Sequence, residues 1–182
     1  MRRTALAFVC AGLLAAAYAP AATARTVLPV SGEEVIVEET AEGVESWHGA
    51  PLYGTPAGDL PGTVLMKRDM VLTLEMVTDP GPGHDYVAGI NTSSFGFQLN
   101  FRTFNGAGSG RVRIDPAAYA PGGWFDCSFT EVYVGGFPPG WRGLDVCKGQ
   151  GTLRGVQMRL HIEHDSITFR TTFTGFVFVP GS

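Results

Sequence analysis

The chain has 182 residues, is 45% hydrophobic and carries a formal net charge of −4. Lysine and arginine gather nowhere along it, and an acidic balance of this kind argues against nucleic acid and anionic membrane surfaces as partners. A chain of this length has room for one core and one domain rather than several.

The N-terminus reads MRRTALAFVCAGLLAAAYAPAATA. Two arginines precede an apolar run from Leu6 to Ala19, and small residues end in Ala22-Thr23-Ala24 before Arg25. This is the layout of a secretory signal peptide, with cleavage expected after Ala24. Its apolar run is too short for a transmembrane helix of roughly 20 residues, and no later segment approaches that length. Cys10 lies too early, and follows the wrong residues, for a lipoprotein cysteine, and reads as part of the leader's apolar core. The sequence thus predicts a secreted or periplasmic protein: residues 1–24 as leader and 25–182 as a single all-β domain. Without the leader, 11 basic residues face 17 acidic ones, a formal charge of −6.

Glycine and proline are spread throughout the mature part and leave few uninterrupted stretches long enough for a helix. The first expected strand is EEVIVEE, in a segment from Glu33 to Glu45 that holds six glutamates. Those charges suit a solvated or edge strand that must not pair with another chain. Residues 47–62, WHGAPLYGTPAGDLPG, read as a loop carrying Trp47, His48 and Tyr53. Between Thr63 and Asp79, Met66, Met70, Leu74 and Val77 also match helical spacing. A turn at KRD followed by the strand VLTLEMV is preferred, because its neighbours are β-formers and no cap is present. GPGHDY then reads as a turn containing His84-Asp85.

In SFGFQLNFRTF, Phe95, Phe97, Leu99 and Phe101 alternate with Gly96, Gln98, Asn100 and Arg102, the period-two signature of a half-buried strand. NGAGSG is expected to be the turn of a hairpin whose second strand is RVRID, with Val112 and Ile114 inward. The next strand, WFDCSFTEVYV, places Glu131 on the same side as Phe125, Cys127 and Phe129. A carboxyl on an apolar face either marks the strand's solvent end or is a buried acid with a raised pKa. Cys127 and Cys147 are the two cysteines of the mature chain, and in an exported protein they are expected to form a disulfide. The stretch GGFPPGWRG, residues 135–143, reads as a second aromatic loop with Phe137 and Trp141.

In GVQMRLHIEHDSITFRTTFTG, Val156, Met158, Leu160 and Ile162 alternate with Gln157, Arg159, His161 and Glu163. After HDS the rhythm resumes with Ile167, Phe169 and Phe173 apolar. A hairpin loop of two or of four residues around His164-Asp165 keeps apolar opposite apolar, whereas a one-residue slip does not. His161 and His164 are three apart and point to opposite faces of a strand, so they cannot share one ion as helical histidines do. His161 is expected on the polar face and His164 in the turn.

Strands of this kind with glycine-rich connections predict an antiparallel barrel, with a β-sandwich as the alternative. The motifs G-x-S-x-G, H-E-x-x-H and G-x-x-x-x-G-K are absent, and no metal or cofactor is expected. Trp47, Tyr53, Trp124, Phe137 and Trp141 lie in or beside the Gly/Pro-rich loops. There they either plug the barrel ends or hold a ligand at its mouth.

GQGTLRGVQMRL followed by FTGFVFVP, with GTVLMKRDMVLTLEMV as an opening strand, resembles the small exported β-barrels of the calycin and allene-oxide-cyclase-like or dirigent-like groups. The likeness covers about half of the mature chain. It implies a barrel with a central cavity, and either lipophilic ligand binding or a non-hydrolytic cyclisation. No catalytic residue of those groups maps onto this chain, and neither the cysteine pair nor FPPGW belongs to their pattern.

The expected role is therefore non-catalytic binding of a small apolar ligand, with Trp47, Tyr53, Trp124 and Trp141 as candidate contacts, or a cell-surface role. The alternative is a barrel enzyme, an isomerase, cyclase or carboxylate-dependent hydrolase, using Glu131, His161 or His84 as acid–base groups.

Overall fold

The computed structural model describes residues 24–55, 58–136 and 138–181. The expected leader, Cys10 included, lies outside the described residues except for Ala24, and so does Phe137.

The strands are β1 (Thr26–Ala41), β2 (Val44–His48), β3 (Leu52–Thr55), β4 (Gly58–Leu60), β5 (Val64–Thr78), β6 (Gly89–Asn100), β7 (Asn105–Pro116), β8 (Gly123–Val134), β9 (Gly140–Gly151), β10 (Gln157–Asp165) and β11 (Arg170–Val179). A single helical turn, α1 (His84–Val87), and a 3₁₀ turn at Ala117–Tyr119 complete the set. Strands β5 to β11 each pair antiparallel with the next barrel strand in sequence, and β1 pairs with both β11 and β5. The result is a closed barrel of eight antiparallel staves: β1 and β5 to β11. Closure leaves no sandwich edge.

Period-two alternation builds the wall. On β10, Met158 and Leu160 point inward and are fully buried, while Gln157, Arg159, His161 and Glu163 face water. On β8 the inward set is Phe125, Cys127, Phe129 and Glu131. Cys127 and Cys147 are direct cross-strand partners on β8 and β9, with Cα atoms 4.0 Å apart, and they form the disulfide within the core. One end of the barrel is filled by Val30, Met76, Ile114, Phe125, Leu153, Met158, Phe173 and Val177, and α1 stoppers it with the fully buried Val87.

Several local expectations are corrected. NGAGSG is not a turn but the first half of β7, paired with Phe95–Asn100 of β6; the turn is Phe101–Phe104. Its alternate glycines face inward, because large side chains opposite need the room. A Cβ at Gly110 would lie 2.6 Å from both the Phe129 ring and Phe95 Cβ, and one at Gly108 would strike the Glu131 carboxyl. The KRD turn is a β-bulge within an unbroken β5, with Asp69 at φ 58° absorbing the extra residue. The helical alternative is not adopted: Met70, Leu72 and Leu74 follow one another along the lumen at strand spacing.

The aromatic loop at 47–62 contains the end of β2 and the small β3–β4 hairpin. In the stretch 135–143, Gly140 to Gly143 already belong to β9. The final hairpin turns at residues 166–169 rather than around His164-Asp165, since Asp165 pairs with Arg170. Asp165 Oδ1 accepts the backbone N–H groups of Ile167 and Thr168, and this cap goes with a turn centred three residues later than expected, which moves each pairing by six positions. The shift is even, so parity survives and Ile162 faces Phe173; Ile167 and Phe169 are exposed in the turn instead of lying in the strand.

Candidate functional site

The half of the lumen away from α1 is not filled. It holds a cavity of about 250 Å³ lined by residues from all eight staves. The apolar lining includes Ile36, Leu72, Leu74, Phe95, Phe97, Phe129, Trp141 and Ile162. Phe95 meets Phe129 edge to face at 5.9 Å, and Phe97 meets Trp141 at 5.3 Å.

An opening lies at the seam between β1 and β11. Their pairing ends at Glu34–Thr171, where Arg170 forms an ion pair with Glu33, while β1 continues along β5 to Ala41. Ile36, two residues past the end of that ladder, lines the cavity and is still 62% exposed.

Three carboxyl groups face this apolar space. Strand parity places two of them. Glu131 is four residues after Cys127 on β8, and Asp145 is two residues before Cys147 on β9, so both share the inward side of the disulfide. Glu131 stands opposite Gly143 and Asp145 opposite Phe129, which makes the acids diagonal neighbours about 7 Å apart. Glu34 enters from β1, four staves round from β8 and thus on the opposite wall. Asn91 Nδ2 donates to Glu34 Oε1 at 3.1 Å, and Ser93 Oγ donates to Asn91 Oδ1 at 2.8 Å, so a buried polar chain on β6 holds Glu34 in place.

Desolvation governs the charge of these groups. Burial raises Glu34 to about 7 against the opposing pull of the Asn91 hydrogen bond. Burial, with repulsion from Glu34, raises Glu131 to about 7. Asp145 is 4% exposed, and burial with repulsion from Glu34 and Glu131 raises its carboxyl to about 8. The set therefore shares protons around neutrality and titrates as a coupled group. His164 completes the polar lining; its Nδ1 shares a hydrogen bond of 3.0 Å with the Thr171 hydroxyl, and burial lowers its pKa. No lysine or arginine lines the cavity among the described residues. Nor do three His, Cys, Asp or Glu side chains converge there as a metal centre needs.

The candidate residues read from the sequence are dispersed. Trp141 and Glu131 line the cavity, and Glu131 sits inside the wall rather than at a solvent end. Trp47 stacks on Phe101 at 5.7 Å and donates from Nε1 to Glu45, beyond the rim. Tyr53 is 71% exposed on the β3–β4 hairpin. Trp124 lies under the Arg113 guanidinium, 4.6 Å from its ring centre, while its neighbour Phe125 points into the core. His161 faces solvent on β10. His84, on α1, contacts the Thr78 hydroxyl at the stoppered end, so the two His-Asp pairs lie at opposite ends of the barrel. His48 is exposed, 3.2 Å from Ser46 Oγ.

Glu34 and Asp145 are the lining carboxyl groups that the sequence reading did not single out; His164, expected in the hairpin turn, lies within β10 and lines the cavity. Parity from the disulfide was a usable signal for Asp145. For Glu34, lost among six glutamates, no local signal existed. No protein-family model, curated protein or solved structure matches the chain.

Proposed function

We propose that this is an exported barrel that binds a small, mostly apolar molecule in its lumen without transforming it. The observation carrying this reading is the open, aromatic-lined cavity of about 250 Å³ in the half of the barrel that the core leaves empty. An apolar cavity of about 150 Å³ already takes up benzene, so this one accommodates a ring with a short chain. Apolar lining with a few polar groups is the usual make-up of a small-molecule site. Export is read from the N-terminal pattern and is supported by the disulfide, which persists in oxidising compartments.

A neutral probe of matching size, 3-phenylpropan-1-ol, tests the reading by titration against backbone amide NMR signals. Saturable shifts are expected at lumen positions such as Ser93, Phe129 and Asp145. They should vanish in Leu72→Trp, which fills the cavity. Absence of saturable shifts in a folded, oxidised sample would overturn the proposal.

The three carboxyl groups with pKa values near 7 and 8 favour a second reading, an acid–base isomerase or cyclase on the same scaffold. Native mass spectrometry of the protein purified from its host, followed by chromatography, separates the two. The first measurement identifies the retained species, and chromatography of the species after incubation with the protein then decides: a carrier returns it unchanged, whereas an enzyme returns an isomer of equal mass and different retention.

A further inference from the structure

We infer that the molecule bound in the lumen is an organic ammonium, with its apolar body against Phe95, Phe97 and Phe129 and its charged nitrogen at the Glu131–Asp145 wall, facing Glu34 across the lumen. This inference rests on the reading of the barrel as a ligand-binding protein and narrows the ligand class.

The charges facing the cavity do not balance. Titratable groups face the cavity from four staves: Glu34 on β1, Glu131 on β8, Asp145 on β9 and His164 on β10. The other four staves contribute apolar side chains, the Asn91–Ser93 pair, glycine and Thr171. Three acids thus meet one histidine, whose own burial disfavours its charged form, and no fixed cation among the described lining residues. Asp145 is the sharpest case, because it is 4% exposed and lines the cavity. A buried carboxyl is costly to ionise, and a positively charged guest offsets that cost.

The second observation is independent of the acids. Aromatic rings from β6, β8 and β9 line the same space, and aromatic faces attract ammonium groups. A metal ion meets only part of this description: it has no use for the apolar wall, and the acids are spread over opposite walls rather than gathered round one point. An amine of about ten heavy atoms, a ring with a short chain, satisfies both halves of the site within the available volume.

The test compares 3-phenylpropylamine with its isostere 3-phenylpropan-1-ol by calorimetry on the full mature protein. The amine should bind at least about tenfold tighter near pH 8, a preference of ~1.4 kcal/mol. That preference should shrink toward pH 5 as the three acids take up protons, since an alkylamine keeps its charge until about pH 10. Binding of the amine should also expel protons, seen as a dependence of the heat on the buffer's ionisation enthalpy. In Asp145→Asn and in Glu131→Gln the amine should lose about tenfold while the alcohol holds within about twofold.

If the alcohol binds as well as the amine at every pH, the ammonium assignment is overturned and the ligand-binding reading stands. Binding of neither probe overturns both. If the amine's preference survives both carboxamide variants, or survives Leu72→Trp, the cation is held by the acidic outer surface, and the assignment is likewise wrong.

Discussion

Asp145→Asn should stabilise the protein at neutral pH and leave it almost unchanged near pH 4. The carboxyl is raised from its ordinary 3.8 to about 8, first by burial and then by Glu34 and Glu131. Between those two values the folded protein holds a proton that the unfolded chain has released. Stability is therefore complete below the unfolded value and declines as pH climbs from about 4 toward 8. The interval from 3.8 to neutrality is about three pKa units, and at ~1.4 kcal/mol per unit the penalty approaches 4 kcal/mol. Part of the shift is repulsion from two acids that are themselves half-protonated at neutrality, which lowers the expected value to about 3 kcal/mol. For a domain of this size that amounts to a rise in Tm of roughly 6–12 °C. Melts of both proteins, followed by circular dichroism from about pH 4 to pH 8.5, should show a gap that opens with pH and levels off above about 8. A gap that is constant across this range, or a variant less stable than the parent at every pH, would refute the claim that the carboxyl is buried without compensation.

Three further outcomes are expected. Replacing both Cys127 and Cys147 by serine should lower stability by about 3 kcal/mol in the chain-entropy model, read as a shift of the urea midpoint without a native fold change. Gly110→Ala should destabilise by about 1–3 kcal/mol, because its Cβ meets Phe95, Phe129 and the Ser94 carbonyl, whereas Gly81→Ala, with nothing within 4 Å, should be neutral in the same melts. Phe169 occupies the turn of the last hairpin at φ 56° and is 78% exposed, so Phe169→Asn should gain about 1 kcal/mol; a loss would mean that the ring is covered in solution.

The barrel was legible wherever side chains alternate without interruption, as in residues 156–162, 95–99 and 125–131, because period two fixes both strand and face. Legibility failed where a strand departs from the usual strand composition. NGAGSG reads as a turn because glycine is rare in strands, yet here the absence of Cβ atoms is what lets β7 pass beside Phe95, Phe129 and Glu131. The KRD bulge and the last turn failed for another reason: one extra residue or one aspartate cap changes a register, and pattern alone cannot count it. The site was only half visible. Glu131 broke an apolar face and could be singled out. Glu34 could not, because its distinction from Glu33 is one of parity on a strand where Val35, Ile36 and Val37 form an unbroken apolar run. The convergence of Glu34 with Glu131 and Asp145 is a product of closure, which no local stretch encodes.

Closure also explains why these features belong together. A barrel of eight staves has an interior that side chains can fill completely, and the α1 end does so. At the other end, three acids stand where apolar groups would have been more stable. That choice lowers stability, because the acids bear the desolvation that raises their pKa values. Costly groups gathered around one cavity are what the proposed binding role would require. The disulfide sits at the boundary between the two halves, two residues from Asp145 and four from Glu131, and so links the acid-bearing wall to the well-packed end. A guest that neutralises the acids and covers the rings would recover the stability that the empty lumen lacks, so occupancy and melting temperature should rise together.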